Sequence, residues 1–205
     1  IDMTWDDRGR MFVAVTMDYP RIQKEGSDRV LLCEDKDGDG KADSFTTFAE
    51  GFSLITGMCW VNGGLILAQA PDMFFVKDTD GDDQADLYEK INSGWGTNDT
   101  HGGPSNLRYG LDNKIYGGVG GGGNFSGQTR FSAGIWRMEV DGSGFTPISN
   151  FGGNSWGLGI SEDFELFGCS ANKNPAYHIH APYPYFEALS LKKVKARRIF
   201  DFETH

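Results

Sequence analysis

The sequence predicts an all-β fold of the β-propeller class. Two observations lead to this prediction. A turn followed by an apolar strand recurs about every fifty residues, and the composition supplies many turns together with large aromatic side chains. The 205 residues include 29 glycines, 15 phenylalanines and 5 tryptophans. Glycines permit tight connections between short strands, and each aromatic side chain buries a large apolar area.

The repeat consists of four segments that share a turn and an apolar strand. They are DDRGRMFVAV (6–15), VNGGLILAQA (61–70), LDNKIYGGVG (111–120) and SEDFELFGCS (161–170). Steps of 54, 50 and 51 residues separate their aligned positions Met11, Leu65, Ile115 and Leu166. A short apolar strand precedes most of the turns and further strands follow them, which is typical of four-stranded propeller blades. An irregular sandwich whose turns recur by chance is the alternative.

Four units are few for a complete propeller, so we expect the chain to form part of a larger ring of about six blades. Residues 1–185 are assigned to blades. Residues 186–205 are basic and lack the blade pattern, so they are assigned to a linker or to the beginning of the next segment. A helix around 186–195 is the less favoured alternative. The chain begins close to a strand and without an initiator Met, so we expect a processed product or a fragment.

Composition excludes several classes of partner. The net charge of −10 disfavours nucleic acid. No apolar stretch approaches the roughly 18 residues of a membrane-spanning helix. The three cysteines, Cys33, Cys59 and Cys169, are odd in number and far apart, so one disulfide and three free thiols both remain open.

Two nine-residue segments, DKDGDGKAD (35–43) and DTDGDDQAD (78–86), predict two calcium sites. Asp at positions 1, 3 and 5 directs three carboxylates to one point, position 7 offers a main-chain carbonyl, and position 9 adds a carboxylate. Hard oxygen ligands favour Ca²⁺ over softer metals. The predicted ligands are Asp35, Asp37, Asp39, the carbonyl of Lys41 and Asp43, then Asp78, Asp80, Asp82, the carbonyl of Gln84 and Asp86, with Glu89 at position 12 of the second loop.

Neither loop matches an EF-hand fully. The first has Gly40 at the sharp turn but Thr46 at position 12, whereas the second has Glu89 at position 12 but Asp83 in place of the glycine. Strand-like segments precede both loops, so we expect structural sites within blades rather than calcium sensors. Extracellular or periplasmic calcium would keep such sites filled, which favours an exported protein. An acidic turn without a metal is the alternative for each loop.

The remaining motifs give weaker indications of a functional site. The run GVGGGG (118–123) fits G-x-G-x-x-G, but NFSGQTRFS after it is a poor helix, so we do not assign nucleotide binding and interpret the run as a mobile or ligand-approaching loop. No G-x-S-x-G motif supports a serine hydrolase. His178 and His180 alternate and are interpreted as a polar strand edge rather than as a metal pair.

Several segments together resemble one known family. They are TWDDRGRMFVA, the two Asp loops, DTHGGPSNLRYGLDNKIYG and GGNSWGLGISEDFELFGCSANKNP. The chain resembles the propeller domain of the large membrane-bound dehydrogenases of planctomycetes and verrucomicrobia. The resemblance implies that helical repeats and a cytochrome c domain follow the propeller.

That family is in turn similar to soluble quinoprotein sugar dehydrogenases, six-bladed propellers that use pyrroloquinoline quinone (PQQ) and Ca²⁺. The resemblance implies that His101 is the general base and that Asn154 lies near the cofactor. It also implies an Arg before Asn154, where this sequence has Gly153. The expected function is the oxidation of a sugar or alcohol with a quinone cofactor. A non-catalytic, calcium-stabilised propeller that serves binding or assembly is the alternative.

Overall fold

The computed structural model describes residues 2–22, 24–127, 129–171, 175–194 and 196–199. These residues form four antiparallel sheets of four strands each, which confirms the predicted all-β fold of the β-propeller class. In each sheet the strands lie in chain order, so each sheet is one blade. The chain divides into two compact units, residues 1–93 and residues 94–205, with two blades in each. Among the described residues no helix is long and apolar enough to cross a membrane.

The first unit contains the first and second blades. The strands of the first blade are β1 (Met3–Trp5), β2 (Met11–Val15), β3 (Asp28–Glu34) and β4 (Ser44–Phe52). Those of the second blade are β5 (Gly57–Val61), β6 (Gly64–Gln69), β7 (Asp72–Lys77) and β8 (Leu87–Ser93). The turn between β5 and β6 is the two-residue loop Asn62-Gly63, and both residues have positive φ, as a tight hairpin requires.

The second unit contains the third and fourth blades. The strands of the third are β9 (Ser105–Tyr109), β10 (Ile115–Val119), β11 (Gly134–Met138) and β12 (Thr146–Ser149). Those of the fourth are β13 (Ser155–Ile160), β14 (Leu166–Ser170), β15 (Tyr177–Ile179) and β16 (Arg197–Arg198), with a short helix α1 (Tyr183–Ala188) before the last strand.

Two elements, α1 and β16, lie at the end of the chain. Arg197 and Arg198 pair with His178 and Tyr177, so the fourth strand of the fourth blade comes from the segment assigned to a linker. A strand of two exposed arginines carries no apolar alternation, which is why its pattern was not visible. Residues 200–205 of that segment lie outside the described residues.

The predicted repeat corresponds to one structural position. Met11, Ile115 and Leu166 begin the second strand of their blades, and Leu65 is the second residue of β6. Each blade therefore places the same apolar position directly after its first turn. In the first blade, Asp6 organises this turn by accepting hydrogen bonds from the backbone N–H groups of Arg8 and Arg10 at 3.0 and 2.8 Å.

Each unit has its own core between its two sheets. In the first unit the buried cluster joins both blades, and Phe12 lies at its centre, stacked on Trp60 at 5.2 Å and edge-on to Phe48 at 4.9 Å. In the second unit an apolar cluster that includes Tyr116 and Leu166 lies between the two blades. The three cysteines, whose pairing the sequence left open, are free thiols.

A buried carboxylate joins the loops of the first unit. The side chain of Asp28 is fully buried and accepts four backbone N–H groups. One oxygen binds Met17 and Asp18 at 2.7 and 3.0 Å, and the other binds Leu54 and Ile55 at 2.6 and 3.1 Å. The first pair follows β2 and the second pair precedes β5, so a single side chain connects the two blades.

We expect Asp28→Asn to lower the free energy of unfolding by about 2–4 kcal/mol, because an amide NH₂ would face backbone donors and the charge that strengthens these bonds would be lost. Urea unfolding measures the change. The exposed turn residue Asp163 provides the control, and Asp163→Asn is expected to stay within about 0.5 kcal/mol of the parent. Equal effects of the two substitutions would contradict this role of Asp28.

Candidate functional site

His101 lies in a short 3₁₀-helix, Thr100–Gly102, that Asp99 caps. The Asp99 carboxylate accepts the backbone N–H of His101 at 3.0 Å and lies 3.2 Å from His101 Nδ1. Because an ionised carboxylate only accepts, this contact favours the neutral imidazole tautomer that has its proton on Nδ1 and its lone pair on Nε2. Both side chains are about half exposed, at 56% for His101 and 51% for Asp99.

The glycine run after β10 packs directly against this turn. Gly120 donates its N–H to the carbonyl of Gly102 at 2.8 Å. A Cβ on Gly122 would lie 2.0 Å from the Cβ of Asp99, and one on Gly123 would lie 1.9 Å from the Gly102 oxygen. The run is glycine because two backbones approach closely, which is a different reason from the mobile or ligand-approaching loop that the sequence suggested.

The loop before β13 also contacts the glycine run. Gly153 accepts the N–H of Gly121 at 3.0 Å. The Asn154 side-chain oxygen accepts the indole N–H of Trp156 at 3.0 Å, and Trp156 in turn accepts a hydrogen bond from the side chain of Asn106. We call residues 99–103, 120–123 and 152–156 the histidine cluster. It lies where the first strands of the third and fourth blades begin, and it contains both His101 and Asn154.

Sequence reasoning missed two functional elements of the histidine cluster. Asp99 orients His101, and Trp156 fixes the Asn154 amide. The first has a local signal, since an Asp two residues before a histidine at a turn can cap that turn. The second depends on how the loop folds back on β13, and the sequence gives no spacing rule for it.

Both Asp loops lie between strands of a blade, as predicted, and each connects the third strand to the fourth. The first lies between β3 and β4, and the second between β7 and β8. In each loop the carboxylates of positions 1, 3 and 5 offer oxygen atoms that lie within 4.8 Å of one another. The two triads are Asp35, Asp37 and Asp39, and Asp78, Asp80 and Asp82. This donor set fits a hard divalent cation.

The first Asp of each loop organises the turn. Asp35 accepts the N–H groups of Gly38 and Gly40 at 2.7 and 2.8 Å, and these bonds, led by that of Gly40, hold the pKa of Asp35 below its usual value. Partial desolvation opposes the charge of Asp78, but the N–H groups of Gly81 and Asp83 outweigh it and lower the pKa of Asp78. Both carboxylates are therefore ionised at neutral pH.

The remaining predicted ligands lie in three different places. Asp43 and Asp86 close the loops, since Asp43 accepts the N–H of Lys36 at 3.0 Å and Asp86 accepts the hydroxyl of Thr79 at 2.6 Å. Lys41 and Gln84 donate their N–H groups to the position-5 carboxylates. Glu89 lies on β8 opposite Phe75, exposed and beyond the second loop.

The structure explains why Asp83 replaces the expected glycine. Asp83 has φ +66°, the left-handed conformation that this position requires. Its carboxylate lies 2.7 Å from Arg10 Nη1, while Arg10 Nε binds Asp6 at 2.8 Å. Burial disfavours the Arg10 charge, but the hydrogen bonds to Asp83 and Asp6 outweigh it and raise the pKa of Arg10. The ion pair ties the second loop to the first blade.

The chain shares its β-propeller fold with several solved structures. The holo form of the PQQ domain of pyranose dehydrogenase from Coprinopsis cinerea matches with a TM-score of 0.62 and 15% identity, over 96% of this chain and 46% of that domain. The gluconolactonase XC5397 from Xanthomonas campestris matches with a TM-score of 0.55 and 14% identity, over 82% of this chain and 53% of that one.

A calcium structure of a family AA12 carbohydrate-active enzyme from Trichoderma reesei matches with a TM-score of 0.54 and 12% identity, over 84% of this chain and 46% of that one. At these identities the likeness shows the fold, and the chain spans about half the length of these structures. No curated protein matches the chain. The chain belongs to the family described as domain of unknown function DUF7133, whose profile matches residues 1–202.

We expect Gly122→Ala to displace the His101 turn and to lower the free energy of unfolding by about 1–3 kcal/mol, since the new methyl group would overlap Asp99. Gly118→Ala is the matched control, because a Cβ there meets its nearest atom at 3.6 Å, an ordinary contact. Thermal unfolding and the imidazole NMR signals of His101 report the two effects. Unchanged His101 signals in Gly122→Ala would contradict the packing role of the glycine run.

Proposed function

We propose that the chain forms part of a propeller enzyme that oxidises a hydroxyl group of a sugar or another alcohol, with His101 as the proton acceptor. The observation that carries this proposal is the Asp99–His101 pair, in which a carboxylate oxygen lies 3.2 Å from Nδ1 of a half-exposed imidazole. An imidazole suits proton transfer near neutral pH. The fold shared with the PQQ domain of pyranose dehydrogenase supports a dehydrogenase, and the fold shared with the gluconolactonase XC5397 shows that the fold alone does not select this chemistry.

In this proposal the substrate hydroxyl gives its proton to His101 Nε2, and the Asp99 carboxylate stabilises the imidazolium that forms. Asn154 is held by Trp156 and offers a fixed amide to a bound ligand. A quinone-class acceptor, when bound, would supply the two-electron oxidation by taking up the hydride of the substrate carbon. In the longer protein that the resemblance implies, a cytochrome c domain would then receive the electrons.

The histidine cluster does not fit PQQ by itself. PQQ carries several carboxylates, which need cationic or strong hydrogen-bond donors. The cluster contains no Lys or Arg, its one charged carboxylate is Asp99, and Gly153 stands where the resemblance implies an arginine. We therefore assign the binding of the electron acceptor to residues outside the cluster and derive no contact with it from this chain.

The two Asp loops are proposed to bind Ca²⁺ as structural sites. Three carboxylates within 4.8 Å of one another repel strongly unless a cation neutralises them. The exposed Lys41 gives the first triad little compensation, since its ammonium lies 3.4 Å from Asp39 and is 82% exposed. Filled calcium sites of this kind support an exported, periplasmic or extracellular protein.

A second candidate function is non-catalytic binding or assembly by a calcium-stabilised propeller. Gly153 favours it, because the cation that would anchor a quinone near Asn154 is missing from the loop. The two candidates differ in whether His101 touches a reacting atom, and substitution of His101 separates them.

We expect His101→Gln to reduce the rate of alcohol oxidation by about 10²–10⁴-fold in the full-length protein, because the amide cannot accept the proton. The assay follows dye reduction with PQQ, Ca²⁺ and a panel of sugars and alcohols. The control is His180→Gln, a substitution of an exposed histidine outside the cluster, and its rate should stay within about twofold of the parent.

The outcomes decide between the two functions. Loss of activity in His101→Gln alone supports the dehydrogenase proposal. Absence of dye reduction with every substrate, or equal rates in both variants, would exclude His101 as the base and favour the binding function.

Removal of calcium is expected to lower the Tm by about 5–10 °C, since a site saturated at about 100 Kd contributes roughly 2.7 kcal/mol. Calorimetry with calcium and with a chelator measures the difference. Asp37→Asn and Asp80→Asn together should remove most of the response, whereas Asp163→Asn, outside both loops, should leave it intact. A Tm that does not respond to the chelator would disprove the calcium proposal.

A further inference from the structure

One face of the first blade is apolar and exposed. The other face of this sheet packs in the core of the first unit through Phe12 and its neighbours. The exposed face, which we call the open face, carries the side chains that alternate with them. Its apolar patch consists of Met3, Trp5, Met11, Val13, Leu31, Cys33 and Phe45, and the face continues beyond this patch into Thr47, Val15, Arg29 and Glu50. Met3, Trp5 and Phe45 are 51%, 53% and 63% exposed. A contiguous apolar surface of this kind marks an interaction site.

The strand register shows what this face corresponds to in the second blade. In the first blade Trp5, Met11, Cys33 and Phe45 lie side by side across the four strands. In the second blade the same row consists of Trp60, Leu65, Val76 and Tyr88. Trp5 is therefore the structural equivalent of Trp60.

The adjacent row extends the match. In the first blade Met3 pairs with Val13, and in the second blade Met58 pairs with Leu67. Met3 is thus the equivalent of Met58. Methionine and tryptophan recur at these two positions, so the two faces have the same chemistry.

In the second blade this face is a packed interface. Met58, Leu65, Leu67 and Val76 are buried against the first blade. Trp60 stacks on Phe12, and its indole N–H donates to the Asp7 carboxylate in the first turn of that blade at 2.7 Å. The tryptophan thus uses an aromatic ring and a carboxylate of the neighbouring sheet.

We propose that the open face of the first blade docks a further four-stranded blade of the longer polypeptide, with Trp5 as the anchor. The geometry of Trp60 defines what the docked blade must present. It carries an aromatic residue at the second position of its second strand, as Phe12 does, and a carboxylate five residues earlier in its first turn, as Asp7 does. Trp5 stacks on the ring and donates to the carboxylate.

The first Asp loop lacks the ion-pair partner that the second Asp loop offers to the first blade. Arg10 of the first blade pairs with Asp83 in the second Asp loop, but the equivalent position of the first loop is Gly40. The docked blade therefore finds no ion-pair partner there. The cavity of about 630 Å³ beside Trp5 and the first Asp loop is where its first turn would lie. Trp5, Met3 and Phe45 supply the affinity, through apolar burial and one hydrogen bond.

Two observations select a further blade over a second copy of this chain. The chain covers 46% of the pyranose dehydrogenase PQQ domain, and in that domain the fold extends over about as many residues again. The fourth blade does repeat the required spacing, with Glu162 and Phe167. However, Phe167 is flanked across the strands by His178 and Arg197, a polar row where the Phe12 row has Leu32.

The test uses the full-length protein and does not depend on the proposed catalysis. Trp5→Ala is expected to lower its Tm by about 5–10 °C, because a buried aromatic anchor is lost. Leu111→Ala is the control, since Leu111 is 71% exposed in a turn and should shift the Tm by no more than about 1 °C.

Fluorescence gives a second readout that does not require a destabilised variant. The difference between the fluorescence of the parent and that of Trp5→Phe isolates the Trp5 emission. Light scattering verifies that the protein is a monomer. In that monomer the Trp5 emission should resist quenching by acrylamide. Trp5 emission that acrylamide quenches freely would overturn the proposal. So would a dimer that Trp5→Ala dissociates, because the occupant would then be a second copy of the chain.

Discussion

The fold depends on aspartate carboxylates that accept backbone N–H groups. Strands of two to nine residues require many turns, and each turn leaves donors without a strand partner. Asp6 satisfies the first turn, Asp28 joins the loops of two blades, and Asp99 caps the histidine turn. A short ionised side chain suits this task, because hydrogen bonds to charged groups contribute about 1.5–3 kcal/mol each. Much of the net charge of −10 is therefore structural.

The aspartates are of two kinds, which differ in how far hydrogen bonds from backbone N–H groups compensate their charge. The oxygens of Asp28 bind four N–H groups inside a dry core, so its charge is compensated by the backbone. The triads instead bring three charges together at the surface, and backbone bonds compensate only part of them. The second triad has the more rigid setting, because Arg10 binds Asp83 beside it. Beside the first triad lie the exposed Lys36 and Lys41, so under the calcium proposal we expect its shape to depend more strongly on a bound cation.

Much of the fold could be predicted because the repeat places Met11, Ile115 and Leu166 at one position of successive blades, and this period is a local property of the sequence. The positions of the Asp loops follow from the same reading. Features set by tertiary contact could not be predicted. Gly122 is glycine because Asp99 lies against it, and Asp83 departs from the glycine rule because of Arg10, 73 residues away. Neither the contact of Gly122 with Asp99 nor the ion pair of Asp83 with Arg10 produces a recognisable sequence pattern around the glycine run or the second Asp loop.

The backbone conformation at position 153 itself favours glycine over arginine. Its φ of +57° lies in the left-handed region, where a residue with a Cβ costs about 1–2 kcal/mol. No atom would obstruct a side chain there, so the backbone rather than space favours glycine. The loop is held in this shape by the bond from Gly121 to the Gly153 carbonyl, which ties it to the glycine run behind His101. An arginine could be restored only with strain at the turn that keeps the histidine cluster together. The conformation that supports the His101 turn thus disfavours a cationic anchor at position 153, which is why we propose that other residues bind the electron acceptor.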